Sequence, residues 1–234
     1  GFNKMRNLLI AVAALALAPA AASATVLTFD ISGGVPNHEN MPQDYGDNVA
    51  AALQGGHSYG VGAEGFTPNV VVDYGAPGED PALWTTGYGD LTNVYFNDTD
   101  GDTTFTTRFT ADAGYVVNLL SFEMASFLTG GQTIQGFTIR DVGANTVLFT
   151  QGSTFITGAT HNLFSFTGVS ANTLELVVNL TGLGGVSDDI GIDNVTFSQS
   201  AVVAGVPEPS VWAIMIGGFF GAGAMLRSRR KAVA

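Results

Sequence analysis

Short apolar runs alternate with turn residues from residue 25 to residue 200, and this pattern limits the fold more than any other feature of the sequence. In the run 174–180 every second residue is apolar, which is the period of a half-buried strand. Two packed antiparallel sheets are therefore predicted: an all-β, antiparallel β-sandwich of the jelly-roll type. A β-helix is the alternative, but no fixed repeat supports it. Ten runs are predicted to be strands: 26–31, 69–74, 91–96, 105–110, 115–127, 137–140, 146–150, 163–166, 174–180 and 190–197.

One short helix is predicted outside these runs, at 47–54. Asp47 is a suitable N-cap, and Gly55-Gly56 would end the helix.

Charge is distributed unevenly along the chain. Residues 25–206 contain nineteen of the twenty acidic residues but only two basic ones, Arg108 and Arg140. Affinity for nucleic acid comes largely from Lys and Arg on phosphates, so nucleic acid is excluded as a partner. Cysteine is absent, which rules out disulfides, thiolate nucleophiles and Cys-ligated zinc.

The two ends of the chain are apolar and carry basic residues. Residues 1–24 combine Lys4 and Arg6 with an apolar stretch and the small-residue pair Ala22 and Ala24, the pattern of a cleaved signal peptide. Residues 211–226 contain no charge and would span about 24 Å as a transmembrane helix. Basic residues after this helix would remain cytoplasmic, leaving the acidic domain at 25–200 outside and joined to the tail by a linker at 201–206.

The residues before this helix carry a more specific signal. The tail 207–234 resembles the PEP-CTERM sorting signal in its PEPxxWA form, and the resemblance implies a bacterial exported protein that an exosortase, a membrane protease, recognises and processes. It further implies a Gram-negative bacterium that exports polysaccharide. The matching residues are Pro207, Glu208, Pro209, Trp212, Arg227, Arg229 and Arg230.

The last predicted strand, DDIGIDNVTFSQ, needs one extra residue at Asp193-Asn194 to keep Ile190, Ile192, Val195 and Phe197 on one face. A β-bulge that turns both polar side chains outward is therefore expected. The stretch resembles the closing strand of galactose-binding-like, carbohydrate-binding-module jelly rolls. That resemblance implies a structural Ca²⁺ held by Asp193 and an acid of the first strand, Asp30; a solvated bulge is the alternative.

A second acidic segment has oxygen ligands at alternate positions. Asp98, Asp100 and Asp102 suit Ca²⁺, but Thr103 replaces the glycine and Phe109 the glutamate of an EF-hand loop. A hairpin turn without an ion between two strands is the favoured interpretation. Ca²⁺ is thus a hypothesis, and no cofactor is certain.

Three Tyr-, Asp- and Gly-containing loops resemble segments of other PEP-CTERM surface proteins. Aromatic faces stack on sugar C–H groups and carboxylates accept hydroxyl hydrogen bonds, so a glycan contact is one interpretation; tight turns that bury the tyrosines are the other. The residues proposed for the glycan contact are Tyr45, Asp73, Tyr74, Trp84, Tyr88 and Asp90.

Catalytic patterns are weak. Residues 56–60 match the G-x-S-x-G motif, but the strand and helix that this motif requires are not predicted around it. We therefore expect a non-enzymatic surface or matrix protein that contacts exopolysaccharide in a biofilm. A self-associating structural protein without glycan affinity is the alternative, and a polysaccharide hydrolase is less favoured.

Overall fold

The computed structural model describes residues 23–31, 37–202, 214–216 and 218–220. Most of the predicted signal peptide lies outside the described residues, which include only its residues 23 and 24. The residues of the sorting motif also lie outside them, and only two short helical pieces of the tail are described, at 214–216 and 218–220. Across the described ranges, no helix is both long enough and apolar enough to cross a bilayer.

Seventeen strands make up the described part of the chain. They are β1 Thr25–Leu27, β2 Glu39–Asn40, β3 Leu53–Gln54, β4 His57–Ser58, β5 Val70–Tyr74, β6 Pro81–Trp84, β7 Val94–Asn97, β8 Thr104–Ala111, β9 Tyr115–Ser126, β10 Gln132–Ile134, β11 Gly136–Asp141, β12 Thr146–Gln151, β13 Thr154–Ile156, β14 Asn162–Ser165, β15 Ser170–Ala171, β16 Thr173–Asn179 and β17 Ile190–Ala201.

Two large antiparallel sheets form the architecture. The first has the order β14-β9-β17-β7-β6-β2, with β1 added on β17 and β15 on β9; the second has the order β12-β11-β16-β8-β5. We call them the eight-stranded and the five-stranded sheet. The chain crosses from one to the other repeatedly, which is the connection pattern of a jelly roll. The predicted antiparallel β-sandwich is confirmed, and the β-helix alternative, which requires parallel coils, is excluded.

The core lies between the two sheets. Phe109 of β8 packs on Phe197 of β17 with ring centroids 5.1 Å apart, and Phe122 of β9 packs on Phe137 of β11 at the same distance. The alternating residues Leu174, Leu176, Val178 and Leu180 are all buried in this core. Alternation therefore leaves every second side chain of each sheet on an outer face of the sandwich, where the candidate sites lie.

Each of the ten predicted runs overlaps a strand, although the run 26–31 shares only residues 26 and 27 with β1, but two local predictions are wrong. The segment 47–54 is not a helix: Asp47 accepts a hydrogen bond from the Val72 backbone N–H at 2.8 Å, Val49 bridges to Thr67, and the segment ends in β3. The backbone groups that a helix would pair internally are thus used by neighbouring strands.

The loop with Asp98, Asp100 and Asp102 is not a hairpin turn either. It joins β7 of the eight-stranded sheet to β8 of the five-stranded sheet, so it is a crossover between layers. Its middle is held by Gly101, whose N–H donates to Gly184 O at 3.1 Å and to Ser187 Oγ at 2.8 Å.

Candidate functional site

A second, smaller apolar cluster lies on the outer face of the eight-stranded sheet. Leu83 and Tyr95 point into the main core, so alternation places Ala82, Val94 and Phe96 on the outer face. The segment after β6 folds over this face and brings Tyr88 onto it, where the Tyr88 hydroxyl donates to Asp188 O at 2.7 Å.

Glycine makes the seating of Tyr88 possible. A Cβ atom on Gly191 of β17 would lie 2.8 Å from Tyr88 Cδ1 and 2.8 Å from Val94 Cγ2, closer than carbon atoms approach. The absence of a side chain at Gly191 therefore lets the tyrosine ring lie directly on the sheet.

Beside this cluster is a cavity of about 80 Å³ that we call the aromatic cleft. The Trp84 ring stands nearly perpendicular to its neighbours: His38 at 4.6 Å and 88°, Phe96 at 6.1 Å and 88°, and Phe127 at 5.6 Å and 79°. Rings meeting at right angles enclose a small space rather than presenting one flat face. The cleft is lined by His38, Trp84, Tyr88, Phe96, Phe127, Asp188 and Asp189.

Two carboxyl groups complete the aromatic cleft. Burial raises the pKa of Asp188 to about 6, and the negative charges of Asp189 and Asp100 act in the same direction. Burial, followed by the charge of Asp100, also raises the pKa of Asp189. The two arginines of the acidic domain are both on the other sheet, so among the described residues no arginine or lysine offsets the repulsion between these acids.

The sequence-predicted glycan residues do not form one surface. Tyr45, Tyr74 and Tyr88 are each at most 3% exposed, so their rings pack in the protein interior, and the turn interpretation holds for them. Tyr74 donates to Tyr45 O at 2.9 Å, which ties two of the loops together inside the core. Asp73 and Asp90 are exposed at separate places. This corrects the expectation of a common contact; of the six predicted glycan residues, only Trp84 and Tyr88 line the aromatic cleft, and Tyr88 does so as part of its floor.

The outer face of the five-stranded sheet carries a larger depression, which we call the polar groove. Its volume is about 360 Å³, and it crosses β8, β16, β11 and β12. Hydroxyl and amide side chains predominate in its lining, which contains no charged group. The lining residues are Thr104, Gln135, Gly136, Phe137, Thr138, Thr150, Gln151, Gly152, Val177, Asn179 and Thr181.

Sequence reasoning did not identify the polar groove. Its lining comes from four strands that are distant in sequence, and threonine at alternate strand positions is typical of any solvated sheet face. Cross-strand register brings them together: Thr138 of β11 lies opposite Thr150 of β12 on one side and Val177 of β16 on the other.

Next to the polar groove lies a buried glutamate with two arginines. Glu175 is 4% exposed and lies between Arg108 and Arg140 in the sheet register. Arg108 Nε donates to Glu175 Oε2 at 3.1 Å, and Arg140 Nε donates to Oε1 at 2.7 Å. Burial tends to raise the pKa of Glu175, but the hydrogen bonds and charges of the two arginines outweigh it and lower the pKa.

The predicted β-bulge in β17 is confirmed, with a register shift between Asp193 and Thr196 and a left-handed Asn194 (φ 51°). Asp193, however, is 4% exposed and not turned into solvent. Its carboxylate accepts the Asn194 N–H at 2.6 Å, while Asn194 Nδ2 donates to Glu123 Oε2 at 2.8 Å. Burial raises the pKa of Asp193 to about 8, and the charges of Glu123 and Asp30 add to the shift.

The five aspartates proposed for Ca²⁺ fall in two places. Asp30 and Asp193 are near the bulge, where Asp30 Oδ1 accepts a hydrogen bond from Asn93 Nδ2. In the crossover, Asp98 pairs with His38 at 2.6 Å and Asp102 accepts from Asn97 Nδ2 at 2.6 Å. No group of three or more acidic or histidine side chains in the described ranges is arranged to hold a metal ion. Neither of the two predicted Ca²⁺ sites, Asp30 with Asp193 or Asp98 with Asp100 and Asp102, belongs to such a group.

Comparison with known proteins gives a likeness of architecture. No protein-family model and no curated protein sequence matches this chain. Three solved structures resemble it: a CBM22-1 xylan-binding domain of Paenibacillus barcinonensis (11% identity, 80% of this chain and 100% of that one, TM-score 0.39), an arabinose-bound α-L-arabinofuranosidase (13%, 76% and 32%, 0.37), and a cyclase from Fischerella sp. (15%, 75% and 94%, 0.37).

The chain spans about a third of the arabinofuranosidase, 32% of its length. Carbohydrate-binding modules are thus among the structures that the β-sandwich resembles. At these identities and TM-scores the likeness assigns neither a ligand nor an activity to this chain.

Proposed function

We propose that this is an exported surface or extracellular-matrix protein that contacts exopolysaccharide through the polar groove, without catalysis. The observation that carries the proposal is the groove's lining: side chains with hydroxyl and amide groups, arranged across four strands and free of charge. Such groups donate to and accept from sugar hydroxyls, whereas a charged lining would favour ionic ligands.

The dimensions of the groove suit a polymer. Four adjacent strands span three inter-strand steps, or about 14 Å, which is longer than one sugar ring. Two of the amides are oriented by the fold: Gln151 Nε2 donates to Thr154 Oγ1 at 2.9 Å, and Asn179 Oδ1 accepts from the Thr181 N–H at 3.0 Å. Side chains held in place lose little conformational entropy on binding.

Export and sorting complete the proposal. The signal peptide at 1–24 would direct translocation, and the tail 207–234 would hold the protein in the inner membrane until an exosortase processes it. The mature domain would then be at the cell surface or in the matrix of a Gram-negative bacterium. Mass spectrometry of the native C-terminus tests this part, since a native chain that still contains Arg229 would contradict processing.

Glycan contact is tested with a glycan array followed by calorimetry on the polysaccharides retained. Thr150→Ala and Gln151→Ala should each weaken binding about fivefold, the loss of one hydrogen bond of about 1 kcal/mol. Thr167→Ala, an exposed threonine away from the groove, is the matched control and should bind like the wild type. Failure of the wild type to bind any glycan, or equal binding by all variants, would refute the proposal.

The same polysaccharides test the absence of catalysis. Incubation with the purified protein should release no reducing ends. Loss of glycan binding in Trp84→Ala but not in Thr150→Ala would instead place the contact at the aromatic cleft.

A structural, self-associating protein is the second candidate, and the sheet edges favour it. Val147 on edge strand β12 is 60% exposed and Leu163 on edge strand β14 is 60% exposed. Apolar side chains on unpaired edges promote edge-to-edge pairing. Sedimentation velocity should then show concentration-dependent oligomers that Leu163→Lys dissociates, and a monomer at all concentrations would eliminate this candidate.

A further inference from the structure

We propose that the aromatic cleft binds an ammonium group, either a quaternary one or a protonated amine, between its aromatic rings and its two aspartates. This site is on the opposite sheet from the polar groove, and the proposal does not depend on glycan binding there.

The shape of the cleft favours a compact cation over a sugar. A pyranose stacks on a flat, open aromatic face, but here Trp84 meets His38, Phe96 and Phe127 at 79° to 88°. One buried water needs about 10–15 Å³ of such space, so the cavity of about 80 Å³ admits a group of several heavy atoms. Rings on several sides of a small cavity are how proteins recognise alkylated ammonium groups.

The charge of the cleft selects the same class of ligand. Asp188 and Asp189 line it, and Asp98 is paired with His38 at its edge. Arg108 and Arg140, the basic residues of the domain, are both bound to Glu175 on the other sheet. A cation entering the cleft therefore meets aromatic faces and carboxylates together, and would reduce the repulsion between the two aspartates.

The cleft is accessible to such a ligand. Phe127 is 40% exposed and His38 is exposed, while Tyr88 and Phe96 are buried and form the floor. The floor is rigid because the Tyr88 hydroxyl is bonded to Asp188 O and its ring lies against Gly191. A preformed floor with an open rim admits an ammonium head group while the rest of the ligand remains in solvent.

The test compares choline with its neutral isostere 3,3-dimethylbutan-1-ol, titrated into the purified full chain and followed by calorimetry or ligand-observed NMR. Choline should bind at least about tenfold more tightly, since only the cation interacts with the ring quadrupoles and the carboxylates. Glucosamine and lysine methylamide, run beside choline, distinguish an amino sugar or a primary amine from a quaternary head group as the source. Sodium chloride at equal concentration controls for screening.

Two variants of the cleft and one control variant keep the test decisive. The double variant Asp188→Asn/Asp189→Asn preserves the shape of the cleft and should lower the affinity for the ammonium probes about threefold to thirtyfold. Asp112→Asn, an exposed acid elsewhere, should leave binding unchanged. Trp84→Leu should weaken binding further, with circular dichroism to confirm folding. No binding of any of the three ammonium probes, or binding of none of them more tightly than of the neutral isostere, would overturn the proposal.

Discussion

The two outer faces of the sandwich each bury one carboxyl group to the same extent, and they stabilise it in opposite ways. Glu175, on the five-stranded sheet, and Asp193, on the eight-stranded sheet, are both 4% exposed. Glu175 has two arginines and a lowered pKa, so it is ionised at neutral pH. Asp193 has acids for neighbours, and burial raises its pKa to about 8, so it keeps its proton to a higher pH than Glu175 does. Burial alone therefore does not decide the charge of a carboxyl group; its partners do.

The difference follows from where the two basic residues of the acidic domain are placed. Arg108 and Arg140 flank Glu175 through the register of β8, β16 and β11, so the five-stranded sheet has balanced charge. The eight-stranded sheet receives no arginine or lysine from the described residues. Its acids have raised pKa values, are paired with histidine, or lie near aromatic rings.

This asymmetry gives the two faces different ligand chemistry. Balanced charge on the five-stranded sheet leaves the neighbouring polar groove with hydrogen-bonding groups that suit a neutral polymer. The acids on the eight-stranded sheet have no arginine or lysine beside them among the described residues, so this face favours binding of a cation.

The largest expected effect is on the pH dependence of stability through Asp193. Because its pKa is raised on folding, its contribution is complete below about pH 4 and is lost as the pH rises towards about 8. Asp193→Asn removes this loss. Between pH 5 and pH 8 the wild type should lose on the order of 3 kcal/mol more of its free energy of unfolding than the variant does.

Urea denaturation at the two pH values measures the difference. Asp112→Asn, at an exposed acid, should keep the wild-type pH dependence. Parallel pH profiles for the wild type and Asp193→Asn would show that Asp193 is ionised in the folded protein, and the contrast between the two faces would disappear.

The opposite pH dependence is expected from Glu175. Its lowered folded-state pKa gives a stabilisation that is present above the unfolded pKa of about 4.5 and is lost as the pH falls through the folded value. Glu175→Gln should cost about 2 kcal/mol at pH 7, because the two arginines lose the negative charge and one of the two acceptor oxygens but, being half-exposed, can turn to water.

The cost of Glu175→Gln should shrink in acid, where the wild-type glutamate is itself protonated. Asp73→Asn is the control, since Asp73 lies opposite Arg108 on β5 but is exposed. A loss of stability in Glu175→Gln that is the same at pH 3 and pH 7 would mean that shape, rather than charge, explains it.

A smaller effect is expected from packing on the eight-stranded sheet. Gly191→Ala places a methyl group 2.8 Å from both Tyr88 and Val94, so it should cost about 1–2 kcal/mol through overpacking. Gly185→Ala is the matched control, because a Cβ there meets no atom within 4 Å. If both variants melt at the same temperature, Tyr88 is not seated on Gly191, and the floor of the aromatic cleft is not rigid.

The sequence predicted the sandwich because apolar alternation is a local signal, and each of the ten runs overlaps a strand. The strands that it missed include β6 (Pro81–Trp84), which opens with a proline and has buried residues on both faces, so alternation is absent. The false helix at 47–54 had suitable end residues, but Asp47 caps a neighbouring strand instead of its own segment. Long-range pairing overrode the local preference.

The sites were less predictable than the fold. The sequence identified Trp84 and the bulge at Asp193, since an aromatic near turns and a broken alternation are visible in one dimension. It could not show that Tyr45 and Tyr74 fill the core, because tyrosine suits both interior and surface. The polar groove depends on the register of four strands. Asp188 and Asp189 belong to the segment between β16 and β17, which is bonded to the β7–β8 crossover through the Gly101 N–H and Ser187 Oγ.

The smallest expected effect concerns a neutral group that contrasts with both carboxyls. Gln132 on β10 is 8% exposed, and its side-chain oxygen and nitrogen have no hydrogen-bond partner among the described residues. Removing an unsatisfied buried amide should be favourable, so Gln132→Met, of similar size, should raise the free energy of unfolding by about 1 kcal/mol. Gln135→Met, at an exposed site on the adjoining strand connection, should change it little. If Gln132→Met is instead less stable than the wild type, the Gln132 amide has a hydrogen-bond partner in solution. Neutral polar groups, like Glu175, would then be buried in this protein only when they have a partner.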